Sequence, residues 1–175
     1  MSTRIAFLRA VNVGKRTVSM ARLVEIFEAL GFRDVWTFIN SGNVVFDATG
    51  ARADLEDRIA TAMEAEYGFE CTTYVRSPAE LRRLLDAAPF EVAADDTYFV
   101  LFAKDRISPT VAAALEACSN DMDTLVVDGR DVHWRMHGRS VDTTLGKQQW
   151  GLLGEPSGTS RNVTSLRKLV AKLER

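Results

Sequence analysis

The sequence predicts an α+β protein built from two ferredoxin-like (split βαβ) halves, the second incomplete, with a C-terminal helix. Three observations predict this class. Short runs rich in β-branched and aromatic residues alternate with stretches of helical periodicity. Residues 1–87 show the element order β-α-β-β-α-β followed by a connecting helix. After a linker at 88–96, which contains Pro89 and three acidic residues, a weaker copy of this order occupies residues 97–175.

The first predicted strand runs from Ile5 to Leu8. The loop that follows it, Arg9 to Arg16, contains three cationic residues and no carboxylate. We expect Ser19 to cap a helix that runs to Leu30, because Gly31 stands at its C′ position and apolar residues recur at helical spacing. That apolar stripe consists of Met20, Leu23, Val24, Phe27 and Leu30.

The stretch from Val35 to Phe46 predicts a β-hairpin with Ser41-Gly42 at its tip. The tip is more polar than a turn requires, because Asn40 and Asn43 also flank the glycine. The rest of the first half follows from local signals. These predict a helix from Arg52 to Tyr67 ended by Gly68, a strand from Cys71 to Val75, and a helix opened by the capping box of Ser77 and Glu80.

The second half repeats these signals less clearly. A strand is predicted at Thr97–Ala103, a helix from Ser108-Pro109 to Cys118, and a hairpin around Asp128-Gly129. Asp142 to Leu153 predicts a short helix interrupted by two glycines. A Gly/Pro/Ser-rich stretch, Gly154 to Ser160, stands where a fourth strand would be expected. A last helix directs Val163, Leu166, Leu169, Val170 and Leu173 inward.

Composition indicates a globular protein, with 46% hydrophobic and 26% charged residues and a net charge of −2. The apolar run near the start is too short for a signal peptide or a membrane span. Cys71 and Cys118 lie in apolar patterns that favour buried thiols, and we expect a cytoplasmic protein that does not bind membranes. Basic residues exceed acidic ones in 1–50 and 151–175, which is either ordinary surface variation or one positive patch.

The sequence does not match the motifs of a phosphate loop, a histidine metal site, an RNA-binding sheet or a serine nucleophile. A phosphate loop would need glycine at position 9 and a hydroxyl at position 16, and both are arginine. His133 and His137 lie four apart on a predicted strand, where exposure is expected and a metal site is not. The aromatic signature of RNA-binding sheets and the G-x-S-x-G elbow are both absent from the sequence.

Three polar segments remain as the candidate site: the loop around Asn12, the turn at 40–43 and the stretch at 159–162. Each can also be explained without a function, as a loop, a turn or a helix cap. We expect them to meet at strand ends and a helix N-terminus, where amides and cations would receive an anion. The candidate ligand-binding residues are Arg9, Asn12, Gly14, Lys15, Ser41, Gly42, Asn43, Thr159, Arg161 and Asn162.

The pieces V-N-V-G at 11–14, S-G-N-V-V-F at 41–46 and T-S-R-N at 159–162 resemble domain-of-unknown-function family 1697 over nearly the whole chain. The resemblance implies a cytoplasmic bacterial α+β protein with two related subdomains, and it supplies no catalytic residues. Family members usually carry glycine where this chain has Ala10, and again where it has Lys15. If those glycines let a backbone approach a ligand, this loop binds less tightly.

Our first functional hypothesis is a binder of a phosphate-bearing small molecule or nucleotide. An alternative is a nucleic-acid-binding protein that uses the same cationic loops, although the acidic pI of 5.7 counts against it. Another is an enzyme whose acid or base is a residue such as Asp128, Asp131 or His133. A scaffold role would be favoured by an exposed apolar patch. The sequence identifies no cofactor.

Overall fold

A computed structural model describes residues 1–174. The chain forms two compact units, Met1–Arg82 and Arg83–Arg175, with the boundary inside the third helix. Each unit contains one four-stranded sheet whose recorded strand pairs are all antiparallel. The described residues therefore have a mixed α/β fold with two antiparallel sheets and six α-helices.

In the first unit the sheet order is β2-β3-β1-β4. The elements are β1 (Ser2–Leu8), α1 (Met20–Ala29), β2 (Arg33–Thr37), β3 (Asn43–Ala48), α2 (Arg52–Tyr67) and β4 (Thr73–Arg76), followed by α3 (Pro78–Asp86), which crosses the boundary between the units. The predicted hairpin and the order of elements are confirmed. One sheet face packs with α1 and α2 around a buried cluster that includes Phe27, Phe46 and Ile59. Such burial of large apolar side chains is the main favourable contribution to folding.

The helix boundaries follow the predicted local signals. The Ser19 hydroxyl accepts a hydrogen bond from Arg22 N, and Gly68 ends α2 in the left-handed conformation. At α3 the backbone N–H of Ser77 donates to Glu80 Oε2 at 2.7 Å, and Glu80 N donates to Ser77 Oγ at 3.2 Å. The predicted capping box is confirmed.

The second unit has the sheet order β6-β7-β5-β8, which repeats the order of the first sheet. Its elements are β5 (Asp96–Phe102), α4 (Pro109–Glu116), β6 (Asp123–Asp128), β7 (Asp131–His137), α5 (Lys147–Trp150), β8 (Thr159–Asn162) and α6 (Val163–Leu173). The prediction of an incomplete second half was wrong, because β8 pairs with β5 as the fourth strand. At Gly158 an added Cβ would lie 2.7 Å from the carbonyl oxygen of Phe102, so glycine lets the chain approach β5.

The helix predicted at Asp142–Leu153, interrupted by Gly146 and Gly151, is shorter in the structure. Here the chain forms two short 3₁₀ segments, Ser140–Asp142 and Gly151–Leu153, with only α5 as α-helix between them. Hydrogen bonds to the buried Asp123 hold the connecting residues instead. Its carboxylate accepts bonds from the hydroxyls of Thr143 and Thr144, from Thr144 N and from the Trp134 indole N–H, at 2.8–3.1 Å.

Neither cysteine of the described chain forms a disulfide. Cys71 is buried, whereas Cys118 is half-buried near the end of α4. Among residues 1–174, no helix has both the length and the apolar character needed to cross a bilayer.

Candidate functional site

The loop between β1 and α1 lies beside the β2–β3 turn in the first unit. The N–H of Leu8, the last residue of β1, donates to Gly42 O at 2.9 Å, and Arg9 N donates to Thr72 O at 2.9 Å. Further along, Arg16 N donates to Val13 O at 3.2 Å and closes a small exposed turn. The loop thus leaves the sheet at a fixed point and projects its central residues into solvent.

Alternate residues of this loop adopt left-handed backbone angles. The φ values are +60° at Ala10, +55° at Asn12 and +62° at Gly14. Glycine adopts this region freely and asparagine tolerates it, whereas alanine is strained there. Glycine would suit the backbone at position 10, where this chain has alanine.

The β2–β3 turn is closed by its own polar groups. Phe38 N donates to Asn43 O at 2.9 Å, and the Asn43 side-chain amide donates to Phe38 O at 3.1 Å and to Ser41 Oγ at 2.8 Å. Gly42 has φ +71°, and a Cβ added there would lie 3.1 Å from the Cβ atoms of Leu8 and Val11. The turn residues therefore hold a close contact between the hairpin tip and the loop.

Asn12 links the two segments directly. Its side-chain amide donates to Asn40 O at 3.1 Å, and its Oδ1 accepts a hydrogen bond from Val18 N at 2.8 Å. The loop, the turn and the entry to α1 are thus joined through one side chain. The structure brings together the first two predicted segments and assigns Asn12 a bracing role.

Positive charge dominates the loop surface. Lys15 and Arg16 are exposed and Arg9 is half-buried, and residues 9–17 contain no carboxylate. The Arg16 guanidinium carbon lies 4.6 Å from the centroid of the Phe69 ring, a cation–π contact that positions the side chain. Lys15 is an exposed positive charge on this turn.

The third predicted segment belongs to the second unit. Arg161 is 9% exposed, and its Nη1 donates to Thr159 Oγ1 and to Ser160 O, both at 2.8 Å. Asn162 Oδ1 accepts a hydrogen bond from Thr164 N at 2.8 Å and so caps α6. The meeting of this segment with residues 12 and 41–43 stays a prediction.

His133 was predicted to be exposed, and this was wrong. It is 1% exposed on β7, and its Nδ1 forms a 2.6 Å hydrogen bond with the buried Tyr98 hydroxyl. Burial lowers the pKa of His133 and raises the pKa of Tyr98 to about 12. His133 Nε2 is buried without a hydrogen-bond partner in the described chain, which identifies a neutral core imidazole.

His137 is exposed and forms a 2.7 Å contact between its Nδ1 and Asp96 Oδ1. A hydrogen bond from Ala93 N and the contact with His137 lower the pKa of Asp96. The two histidines lie in different environments and do not form a pair. Residues 1–174 contain no group of three or more His, Cys, Asp or Glu side chains placed to hold a metal ion.

Sequence reasoning overlooked a cleft of about 360 Å³ in the second unit. The β5–α4 loop lines one side, and residues of the 152–156 segment line the other. The signal available in the sequence was the charged run Lys104-Asp105-Arg106, which follows the first strand of the second half. It occupies the same place in the element order as the cationic loop of the first half.

These features define a mixed α/β protein of two antiparallel-sheet units, with a braced cationic loop in the first unit. A family model described as "Protein of unknown function (DUF1697)" matches residues 1–133, and the chain belongs to this family. The resemblance noted in the sequence is confirmed. A comparison with curated proteins gives no match.

A solved structure of the conserved bacterial protein SP0830 from Streptococcus pneumoniae is similar to this chain. It has a TM-score of 0.75 and 23% sequence identity, and the match covers 100% of this chain and 99% of that one. At this identity the likeness concerns the fold alone.

Proposed function

We propose that the protein binds an anionic, phosphate-bearing small molecule or nucleotide through residues 9–17 and the adjacent 40–43 turn. The observation that carries the proposal is a carboxylate-free loop with three cationic side chains, braced to a hairpin turn by Asn12. A loop held in place loses less conformational entropy when it binds a ligand than a mobile one does.

The backbone of the loop supports the same proposal. Left-handed residues that alternate with other conformations turn successive N–H groups toward a common side, as in anion-binding nests. The left-handed angles at Ala10, Asn12 and Gly14 favour such an arrangement. Lys15 and Arg16 would then supply the charge that a phosphate oxygen prefers.

Binding is favoured over catalysis at this loop. General acid–base chemistry needs a titratable group within hydrogen-bond reach of the reacting atom. Residues 9–17 and 40–43 contain only cations, amides and hydroxyls as polar side chains. A ligand held there would meet donors and positive charge, and none of these residues is an evident base.

Thermal-shift measurements with inorganic phosphate, pyrophosphate, nucleotides and sugar phosphates test the proposal. A ligand at about 100 times its Kd stabilises a protein by about 2.7 kcal/mol, which corresponds to a rise in Tm of several degrees. We expect at least one compound to produce this rise in the wild type, and Lys15→Ala to reduce it. Arg33→Ala is the matched control, because Arg33 is an exposed cation on β2 outside the loop.

Arg161→Ala, tested beside Lys15→Ala, asks whether the 159–162 segment takes part in binding. Loss of the shift in Arg161→Ala as well would favour the predicted three-segment site. Indifference of the wild type to every compound would contradict the proposal. An equal loss of the shift in Arg33→Ala would also contradict it, because the effect would then be one of general charge.

We also propose that each unit is ferredoxin-like, that residues 88–96 link the two halves and that the protein works in the bacterial cytoplasm. The repeated order β2-β3-β1-β4 and β6-β7-β5-β8 supports the first point, because a split βαβ unit places its first and third strands together at the centre. The absence of strand and α-helix from residues 88–95 supports the second.

A further inference from the structure

The cleft in the second unit has a fixed wall. Ala103 N donates to Arg130 O and Ile107 N donates to Gly129 O, both at 2.9 Å, so both ends of the 103–107 segment are attached to the β6–β7 turn. The first unit shows the same arrangement, in which Leu8 N donates to Gly42 O in the β2–β3 turn. In both units the chain that leaves the first strand is therefore bonded to the hairpin turn.

Apolar side chains form much of the cleft lining. Ile107, Val111 and Leu153 are half-buried and pack against the core of the second unit. Leu152 lines the same cleft and remains 40% exposed, although burial of a leucine side chain is favourable. The volume lies within the range of about 300–1,000 Å³ that is typical of small-molecule sites.

The charged lining of the cleft differs from the cationic loop of the first unit. Arg106 is exposed and forms no hydrogen bond or ion pair with any of residues 1–174, so its guanidinium can receive an oxyanion. Lys104, Asp105 and Glu155 also line the cleft. The lining thus holds two cations and two carboxylates, so it has no excess of positive charge for a ligand with several anionic groups, and this favours a ligand with one.

We propose that this cleft binds a small amphipathic acid. Its apolar body would lie against Ile107, Val111 and Leu152, and its single carboxylate or phosphate would pair with Arg106. The start of α4 is not needed as the anion site, because the Ser108 hydroxyl already accepts a hydrogen bond from Val111 N. This ligand differs from the one proposed for the 9–17 loop in its apolar body, for which the cleft provides a lining.

Amide chemical-shift titration of the full chain tests this site with four probes: octanoate, octyl phosphate, octanol and inorganic phosphate. We expect octanoate or octyl phosphate to shift the amides of residues 104–111 and 152–155, and the better of the two identifies the preferred head group. Octanol should bind about tenfold more weakly, because a charge-assisted hydrogen bond is lost. Inorganic phosphate should leave these amides unmoved.

Two variants separate the contribution of the Arg106 charge from that of the apolar lining. Arg106→Gln should weaken the better acid about tenfold while leaving octanol unchanged, and Leu152→Asn should weaken both. Lys168→Gln is the matched control, because Lys168 is an exposed cation on α6 outside the cleft. It should bind like the wild type.

Three results would overturn the proposal. The first is that neither acid moves the cleft amides up to about 5 mM, beyond the weak end of specific binding. The others are equal binding of octanol and the better acid, and unchanged acid binding in Arg106→Gln. Because the reporting amides belong to the second unit, failure here is distinguishable from failure of the phosphate-binding proposal for the first.

Discussion

At the scale of single residues, several polar side chains act as braces. Asn12 joins a loop to a turn, Asn43 closes that turn, and Asn162 caps α6. The sequence predicted that these residues stand at loops, turns and caps, because asparagine favours such positions. It could not predict that Asn12 would bond to Asn40, 28 residues away, since that partner depends on how β1 and β3 pair.

Ala10→Gly is expected to stabilise the protein. Alanine at φ +60° carries a strain of about 1–2 kcal/mol that glycine lacks. The greater flexibility of glycine in the unfolded chain lowers this gain in stability by about 0.5–1 kcal/mol. We expect the free energy of unfolding to rise by about 0.5–1 kcal/mol in urea denaturation. A large decrease would contradict the left-handed conformation.

Ala65→Gly is the matched control for this change. Ala65 is exposed inside α2, where the same substitution should lower the free energy of unfolding by about 1 kcal/mol. Opposite signs at the two positions would show that the effect comes from local backbone conformation rather than from glycine itself.

At the scale of elements, prediction succeeded where the signal was local. Ser19, Ser77 with Glu80, and Ser108 mark helix starts because a hydroxyl must satisfy nearby N–H groups. Prediction failed at β8, because its residues T-S-R-N do not have the composition of a strand. They form a strand because they pair with β5. Prediction failed at residues 143–146 for a related reason, because hydrogen bonds from Thr143 and Thr144 to Asp123 hold the chain there outside a helix.

Asp123→Asn tests that account of the 140–146 segment. The carboxylate accepts four hydrogen bonds in a buried setting, and an amide can accept at only one of its two terminal atoms. We expect a loss of about 2–4 kcal/mol in the free energy of unfolding. Asp121→Asn, an exposed acid two residues earlier, should change it by less than about 0.5 kcal/mol.

At the scale of the whole molecule, the sequence predicted that the element order recurs in the second half, but it did not predict a complete second sheet. The exposure of His133 was also mispredicted. Alternation along β7 correctly separates it from Val132 and Trp134, yet His133 is buried as they are. A two-residue period shows which side chains share a face but does not show whether that face is covered.

Burial of His133 predicts a pH dependence of overall stability. Its pKa is lowered in the folded protein, so below the ordinary value of about 6.5 the unfolded chain binds the proton more readily. Stability from this residue is complete above that pH and falls as the pH drops below it, by at most about 1.4 kcal/mol per pH unit. Urea denaturation between about pH 7.5 and pH 5 measures the slope.

His133→Asn should flatten that slope, because it removes the group whose pKa burial lowers. An unchanged slope in His133→Asn would contradict the assignment of a neutral imidazole in the folded state. Asp123, whose pKa hydrogen bonds lower from that of an ordinary carboxyl, responds only in stronger acid and does not interfere in this range.

The indole of Trp134 is an intrinsic fluorescence probe of the second unit. Its ring is 9% exposed, its N–H is bonded to Asp123, and the Trp150 ring centroid lies 4.9 Å away. The remaining tryptophan, Trp36, belongs to β2 of the first unit. A Trp36→Phe protein would therefore emit from one half of the chain alone, and comparing its melting curve with far-ultraviolet dichroism would reveal whether the two halves lose their structure in one step or in two.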